Sequence, residues 1–406
     1  MDTDILIAGG GLNGLTLALA LAQAGQRVTV IDALAQSVRA DAGFDGRSYA
    51  LALTSQRLLG GLGLWTGLAA QAQPILDIKV CDGHPGQGPG PMVLHFDHAE
   101  IEEGPMGYMV EDRYLRRALL QAVEAHQGIT HLSDVQVTEH RPTRAGMHVT
   151  LDNGTALLGR MLVAADGRRS ATARRAGIRH TGWTYGQTAL VCAISHAEPH
   201  HGMAHQMFMP SGPLAILPLP GNRSSIVWTE QADHAARINA MAAEDYLAVL
   251  RPRFGDFLGE IALAGDRFTY PLSLSLADRF VADRLALIGD AAHGVHPLAG
   301  QGLNAGLRDV AALAETVIDA VRRGEDPGAG AVLTRYQQWR RFDATTLAVA
   351  TDTFNRLFSN SNPLLRAARD LGLGLAGAMP GVRRSLIREA AGLTGDVPRL
   401  MQGKAL

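Results

Sequence analysis

Cysteine is nearly missing from this 406-residue chain: only Cys81 and Cys192 occur, far apart. That excludes a disulfide framework and a cysteine-based zinc site, and it fits a reducing compartment. An excess of one charge is also missing, with 37 basic against 39 acidic residues. No basic stripe is present, so a nucleic-acid partner is not expected. No run approaches the roughly 20 apolar residues of a membrane span. No basic-then-apolar leader precedes the first strand, which points to a cytoplasmic protein. Internal repeats and low-complexity tracts are absent. There are 15 histidines but no H-E-x-x-H. His196, His200, His201 and His205 lack an acid at ligand spacing, so they read as loop and edge-strand surface residues, and no metal is expected. The length suggests about two or three domains.

What is present is organised around Asp2–Asp32. Asp4–Ala8 is a short Ile/Leu-rich run, as expected of a buried parallel strand. It leads into Gly9, Gly11 and Gly14, spaced G-x-G-x-x-G. Leu15–Ala24 follows as an apolar helix, Gly25 stops it, and Arg27–Ile31 is a second strand ending at Asp32. One glycine makes the tight turn, one admits a pyrophosphate, and one lets helix and strand pack closely. The helix N-terminus offers free N–H groups to phosphate. Asp32 follows Gly9 by 23 residues, where a carboxylate can accept from an adenosine ribose.

Two further strands deliver an aspartate at their C-terminal ends, where ligands sit in open α/β sheets. Arg160–Ala165 runs into Asp166-Gly167 and a helix through Arg174. Arg284–Ile288 runs into Gly289-Asp290, and a Gly-rich segment then opens a helix through about Arg322. Arg47 is placed in a loop before a helix over Ala50–Leu64. Glu111–Glu124 is expected to be helical and carries Arg113. Ile75–Val80 and Val93–Phe96 form a hairpin. Asn153-Gly154 marks a type I′ hairpin turn. From Trp183 to Thr229, strand-like runs succeed one another as a mainly antiparallel sheet. Ala243–Phe257 returns to helix. Beyond Gly330 the chain is helical, with a Trp339/Phe342 segment, Ala344–Phe358 and an apolar Leu371–Ala378.

Three pieces in this order, GGGLNG, ADGRRSATAR at 165–174 and LIGDAAHGVHPLAGQGLNAGLRD at 287–309, resemble the single-component FAD-dependent aromatic hydroxylases. GPLAILPL at 212–219, MVEDRYLRRAL at 109–119, ATDTFNRLFSN at 350–360, and the run Gln301-Gly302-Leu303-Asn304 with Asp309 are similar to the ubiquinone-biosynthesis hydroxylases in particular. The resemblance implies an α/β fold: a Rossmann-like FAD-binding domain, an inserted antiparallel substrate domain and a helical C-terminal segment. Residues 1–74, 101–180 and 266–335 would form the first, 75–100 and 181–265 the second, and 336–406 the third.

The resemblance also implies roles. Gly9, Gly11, Leu12, Asn13 and Gly14 would carry the ADP half of FAD, with Asp32 on the ribose, where that family more often shows glutamate. Arg47 and Arg113 match arginines that contact FAD. Asp166 and Gly167 match a motif tied to the pyrophosphate and to pyridine-nucleotide use. Gly289 and Asp290 would face the ribityl hydroxyls. Pro297 and Gly300 through Asn304 would lie along the isoalloxazine. His293 and His296 flank that segment, either as ligand contacts or as structural hydrogen-bonding groups. Gln206, Phe208, Leu217 and Pro218 are candidates for the substrate wall, although Phe208 and Leu217 also suit plain sheet packing.

No side chain supplies the electrophilic oxygen that ring hydroxylation needs, so the cofactor must carry it. NAD(P)H is the expected transient reductant. The implied substrate is a polyprenylated phenol, which needs an apolar tunnel or a membrane-facing mouth. Peripheral contact with the inner membrane, a homo-oligomer and a quinone-synthesis complex are the partner arrangements it leaves open. The alternatives are a hydroxylase of another phenol or polyketide, and a flavin-bound scaffold without turnover. A plain NAD dehydrogenase needs neither the Asp166 nor the Asp290 block.

Overall fold

The computed structural model describes residues 2–44, 46–84, 88–296, 300–358 and 378–406. It is a mixed α/β fold. The strand Ile5–Ala8 is buried along its whole length because it is central, with Val28–Asp32 parallel on one side and Met161–Ala164 parallel on the other. Ile129–Ser133 extends this sheet beyond Val28–Asp32, and Leu285–Leu287 extends it beyond Met161–Ala164. A short antiparallel strand, Val281–Ala282, closes that edge. Burial on both faces explains the continuous apolar runs. The helix Leu12–Gln23 covers one face and packs on the long helix Gln301–Arg322. These elements share one large core.

A second, mainly antiparallel sheet holds His180–His196, Met203–Met209, Gly212–Leu219, Arg223–Gln231 and Phe268–Ala277. The hairpin Asp77–His84 with Gly88–Asp97 joins it through one parallel pairing, Met203–Met209 against Asp77–His84. Segments distant in the chain thus complete one sheet. The helix Ala243–Phe254 and the shorter Ala232–Asn239 pack beneath it around Trp228 and Tyr246.

Several local expectations change. Ala50–Leu64 is not one helix. Ser48–Ala52 is a strand, because its backbone pairs with Gly107–Glu111, and the helix starts only at Leu53. Pairing across the fold overrides the local helical pattern here. The Asn153-Gly154 hairpin exists, but its turn is not type I′. Gly154 alone has positive φ, and Leu151 N–H donates to Thr155 O, which gives a three-residue loop. Gly330–Phe358 is one continuous helix rather than two segments. Of the apolar stretch 371–378, residues 371–377 lie outside the described residues. No described helix is long and apolar enough to cross a membrane.

Candidate functional site

The glycines of the first turn differ in what surrounds them. Gly9 has φ +116°, and a Cβ there would lie 2.3 Å from Ala165 O. A Cβ on Gly14 would lie 2.0 Å from Gly9 O. Both positions are closed by the protein itself. Gly11, the N-cap of the helix, has nothing within 4 Å of its missing Cβ, so the space before the helix N-terminus is open. That N-terminus has no side-chain cap, and its first N–H groups have no partner within the helix. Asn13 points the other way. It is wedged against Gly289 and Gly306, and its Oδ1 is buried with no hydrogen-bond partner among the described residues.

A cavity of about 320 Å³ lies against this turn, walled by Gly9, Gly11, Asp32, Arg39, Asp166 and Gly167. Three of the expected groups therefore meet at one place. Asp32 is buried, and it accepts from Arg39 Nε at 2.7 Å, Arg39 Nη2 at 2.9 Å and Leu34 N–H at 3.1 Å. Burial pushes its carboxyl up, but the two bonds from Arg39 and the nearby His131 ring at 3.8 Å outweigh burial and hold it well below the usual range. Asp166 accepts from Ser170 Oγ–H and Thr172 N–H, bracing the start of the helix Ala171–Arg175, whose N-cap is Ser170. Arg39 and Arg175 also line the cavity, and neither was singled out from the sequence. Arg39 stands in a polar, Ala-rich segment with no motif to mark it.

Arg47 and Arg113 each pair with one of two adjacent acids. Arg47 Nη2 reaches Asp112 at 3.2 Å and stays 43% exposed. Arg113 pairs with Glu111 at 2.7 Å, and Arg223 from the antiparallel sheet takes the other Glu111 oxygen at 2.9 Å. Arg113 lies over the Tyr114 ring at 4.7 Å.

The third block gathers around Asp290. Its carboxylate is 49% exposed, with Arg168 Nε at 3.8 Å. Gly289 is left-handed at φ +58°, which turns the chain out of the strand. Its N–H donates to the fully buried Asp309 at 2.9 Å. Gly300 caps the following helix at φ +64°, again without a side-chain cap. Gln301 lines a cavity, and a Cβ on Gly302 would meet nothing within 4 Å. Leu303 packs on the main core. The Asn304 side chain is fully engaged: Oδ1 accepts from Ala52 N–H and Ser55 Oγ–H at 2.8 Å each, and Nδ2 donates to Ala50 O at 2.8 Å. Asn304 therefore ties the 50–55 segment to this helix, and only its backbone remains for a ligand. Pro297 lies outside the described residues.

Beyond this helix start lies a larger cavity of about 610 Å³. Gln301, Asn304 and Ala305 form one part of its wall. Leu94, Phe96, Gln206 and Phe208 form another, and Leu347, Ala350 and Phe354 a third. Two of the sequence candidates, Gln206 and Phe208, line it. Leu217 packs instead in the sheet cluster with Phe44 and Val80, and Pro218 pairs in the sheet opposite Ser224.

The flanking histidines differ. His293 Nε2 bonds Asp309 Oδ2 at 2.6 Å. His296 is fully buried, and among the described residues neither ring nitrogen has a hydrogen-bond partner. It meets the Tyr185 ring edge-on at 5.2 Å. Burial pushes its titration down from 6.5 to about 4, against a small opposing pull from Asp352. An unfolded chain accepts that proton near 6.5 and the folded one resists it. Stability is therefore expected to fall as pH drops from about 6.5 toward about 4. His205, likewise lowered to about 4 by burial, adds to the same slope, so it is not the surface residue expected; nor is His196, which is buried with its ring nitrogens on Glu198 O and Ser224 Oγ. In urea titrations at pH 7 and pH 5, His296→Gln should shrink the loss of midpoint; an unchanged loss would contradict the burial argument.

Comparison with known proteins follows the same outline. A family model described as an FAD binding domain matches residues 2–350. The chain is 48% identical to the ubiquinone hydroxylase UbiL of Rhodospirillum rubrum, over 99% of this chain and 93% of that protein. It is 35% identical to the 3-demethoxyubiquinol 3-hydroxylase of Escherichia coli, over 96% of this chain and 99% of that one. The crystal structure of p-nitrophenol 4-monooxygenase PnpA from Pseudomonas putida superposes with a TM-score of 0.79, covering 97% of this chain and 99% of that one. At 22% identity, that likeness speaks for the fold.

Proposed function

Because this chain belongs to the FAD-dependent monooxygenases built on that FAD binding domain, we propose that it hydroxylates the aromatic ring of a polyprenylated phenol in ubiquinone biosynthesis, with NAD(P)H and dioxygen as co-substrates. When bound, FAD supplies the reduction and oxygen activation that no side chain provides.

The residues present fit that cofactor. The open space at Gly11 faces a helix N-terminus suited to a pyrophosphate. Asp32 and Arg39, which wall the same cavity, would take the ribose end, and Arg47 and Arg113 would add charge. The N-terminus of Gln301–Arg322, where the N-cap Gly300 has no side chain, would turn partial positive charge toward an electron-rich ring edge. Under this reading, the sheet of Ile5–Ala8 is the Rossmann-like cofactor domain, the antiparallel sheet is the substrate domain, and the C-terminal helices close the cavity.

The observation that carries the substrate reading is the cavity of about 610 Å³. It begins at the helix start carrying Gln301 and is walled mostly by apolar side chains. Phe342, Phe354 and Leu386 line it while also being 77%, 51% and 40% exposed. This is a path from the ring-binding end to an apolar outer face, which suits a phenol with a hydrocarbon tail. The same face, extended by Val349, is the proposed point of peripheral contact with a bilayer.

Mass spectrometry of quinone intermediates tests the function. Expression in a host lacking one ring hydroxylase should restore the missing hydroxylated product. Failure in every ring-hydroxylase deletion, with turnover of a tail-free phenol instead, would favour the alternative of another phenolic substrate. Filling the cavity gives a second check. Ala350→Trp should raise KM for a long-tailed phenol about tenfold or more and leave a tail-free phenol nearly unaffected. Equal effects on both would place the tail elsewhere.

A further inference from the structure

The structure holds a buried charge cluster that the proposed reaction leaves without a task. Asp309 is fully buried in the third turn of the helix Gln301–Arg322. Its Oδ2 accepts from Gly289 N–H at 2.9 Å and meets His293 Nε2 at 2.6 Å. Its Oδ1 accepts from Arg340 Nε at 2.9 Å. Arg340 belongs to the other long helix, Gly330–Phe358, and is 2% exposed. One turn earlier on that helix, Tyr336 donates its hydroxyl to Leu287 O at 2.7 Å. Tyr336 and Arg340, four residues apart, lie on one helix face. Together they hold the end of the strand Leu285–Leu287 and, through Asp309, the turn that follows it.

That turn carries Asp290. Gly289 adopts φ +58° and Asp290 follows directly, so the bond at Gly289 N–H anchors the turn from which the Asp290 side chain leaves. Burying a carboxylate and a guanidinium is costly, and an apolar pair of the same volume often packs as well or better. A hydrophobic pair, however, could not accept the Gly289 N–H. The ion pair thus does something packing alone would not: it fixes a backbone donor in place. Desolvation pushes the Asp309 carboxyl up, but His293 and Arg340 outweigh it, so Asp309 stays ionised.

We propose that Asp309 is a positioning residue for the cofactor site: with Arg340 and His293 it holds the Gly289–Asp290 turn in the geometry that lets Asp290 grip the ribityl chain. This rests on the reading that Asp290 faces FAD. The same network joins the turn to the wall of the large cavity, which Arg340 and Asp343 also line, and Arg340 donates to Asp343 at 2.7 Å.

The test uses Asp309→Asn and Arg340→Gln in the full chain. Three quantities are measured: the melting temperature of the FAD-free protein, FAD affinity by fluorescence titration well below melting, and the visible circular dichroism of bound flavin. Asp309→Asn should weaken FAD binding at least tenfold and alter the flavin dichroism, because the ring and ribityl chain sit differently. Arg340→Gln leaves the Gly289 and His293 bonds in place and should give a smaller change in the same direction. Should Asp309→Asn not fold, Arg340→Gln carries the test alone. A lowered melting temperature with FAD affinity within twofold of wild type, and unchanged dichroism, would reduce the cluster to a structural role and overturn the proposal. Wild type failing to take up FAD would overturn the cofactor site itself, which is a separate outcome.

Discussion

Gly11→Val is expected to give a folded protein that purifies without flavin and binds added FAD on the order of a hundredfold more weakly than wild type. The argument rests on the contrast among three glycines. Gly9 and Gly14 are closed off by the protein, with backbone oxygens at 2.3 and 2.0 Å from any added Cβ. Substitution there must damage the fold. Gly11 has φ −77° and nothing within 4 Å, so the chain itself has no objection to a side chain. Losing a good N-cap residue costs only about 1 kcal/mol. The valine branches instead occupy the space before the helix N-terminus, where the pyrophosphate is proposed to sit. Each tenfold loss of affinity corresponds to about 1.4 kcal/mol, and displacing phosphate from several N–H donors readily exceeds twice that. Thermal melts and FAD titration of Gly11→Val and Gly14→Val would separate the cases. Gly14→Val should melt early, and Gly11→Val should melt near wild type without flavin. A yellow Gly11→Val with ordinary affinity would contradict the placement.

Asp290→Ala should likewise purify colourless or lose FAD on gel filtration. The side chain is half exposed, and among the described residues its charged neighbour is Arg168 at 3.8 Å. Removing it should change the stability of the FAD-free protein by no more than about 0.5 kcal/mol. A hydrogen bond to a charged group contributes about 1.5–3 kcal/mol, so losing one or two to the ribityl hydroxyls weakens binding roughly tenfold to a hundredfold or more. A fully loaded yellow variant would remove Asp290 from the ribityl role.

The parts of this molecule that could be read from the sequence are those governed by local rules. The first βαβ unit, the helix opening at Gln301 and the antiparallel run beyond Trp183 all follow from glycine spacing, apolar period and turn residues. What escaped was set by distant partners. Ser48–Ala52 is a strand only because Gly107–Glu111 lies beside it. Phe268–Ala277 alternates, but its place comes from pairing with His180–His196 across a register shift between Thr184 and Thr188. The same holds for the site. The three aspartate-bearing strand ends announce themselves, whereas Arg39 gains its place only when the chain folds back onto Asp32. Asn304 is the reverse case: its motif suggests a ligand contact, yet its amide is spent on Ala50, Ala52 and Ser55.

The most direct measurement is the visible spectrum of the purified full-length protein, with extracted flavin quantified against protein. The account predicts absorbance in the blue, one FAD released per chain on denaturation, and recovery of that ratio when stripped protein is offered FAD. A folded chain that shows no such band and takes up no flavin would contradict it.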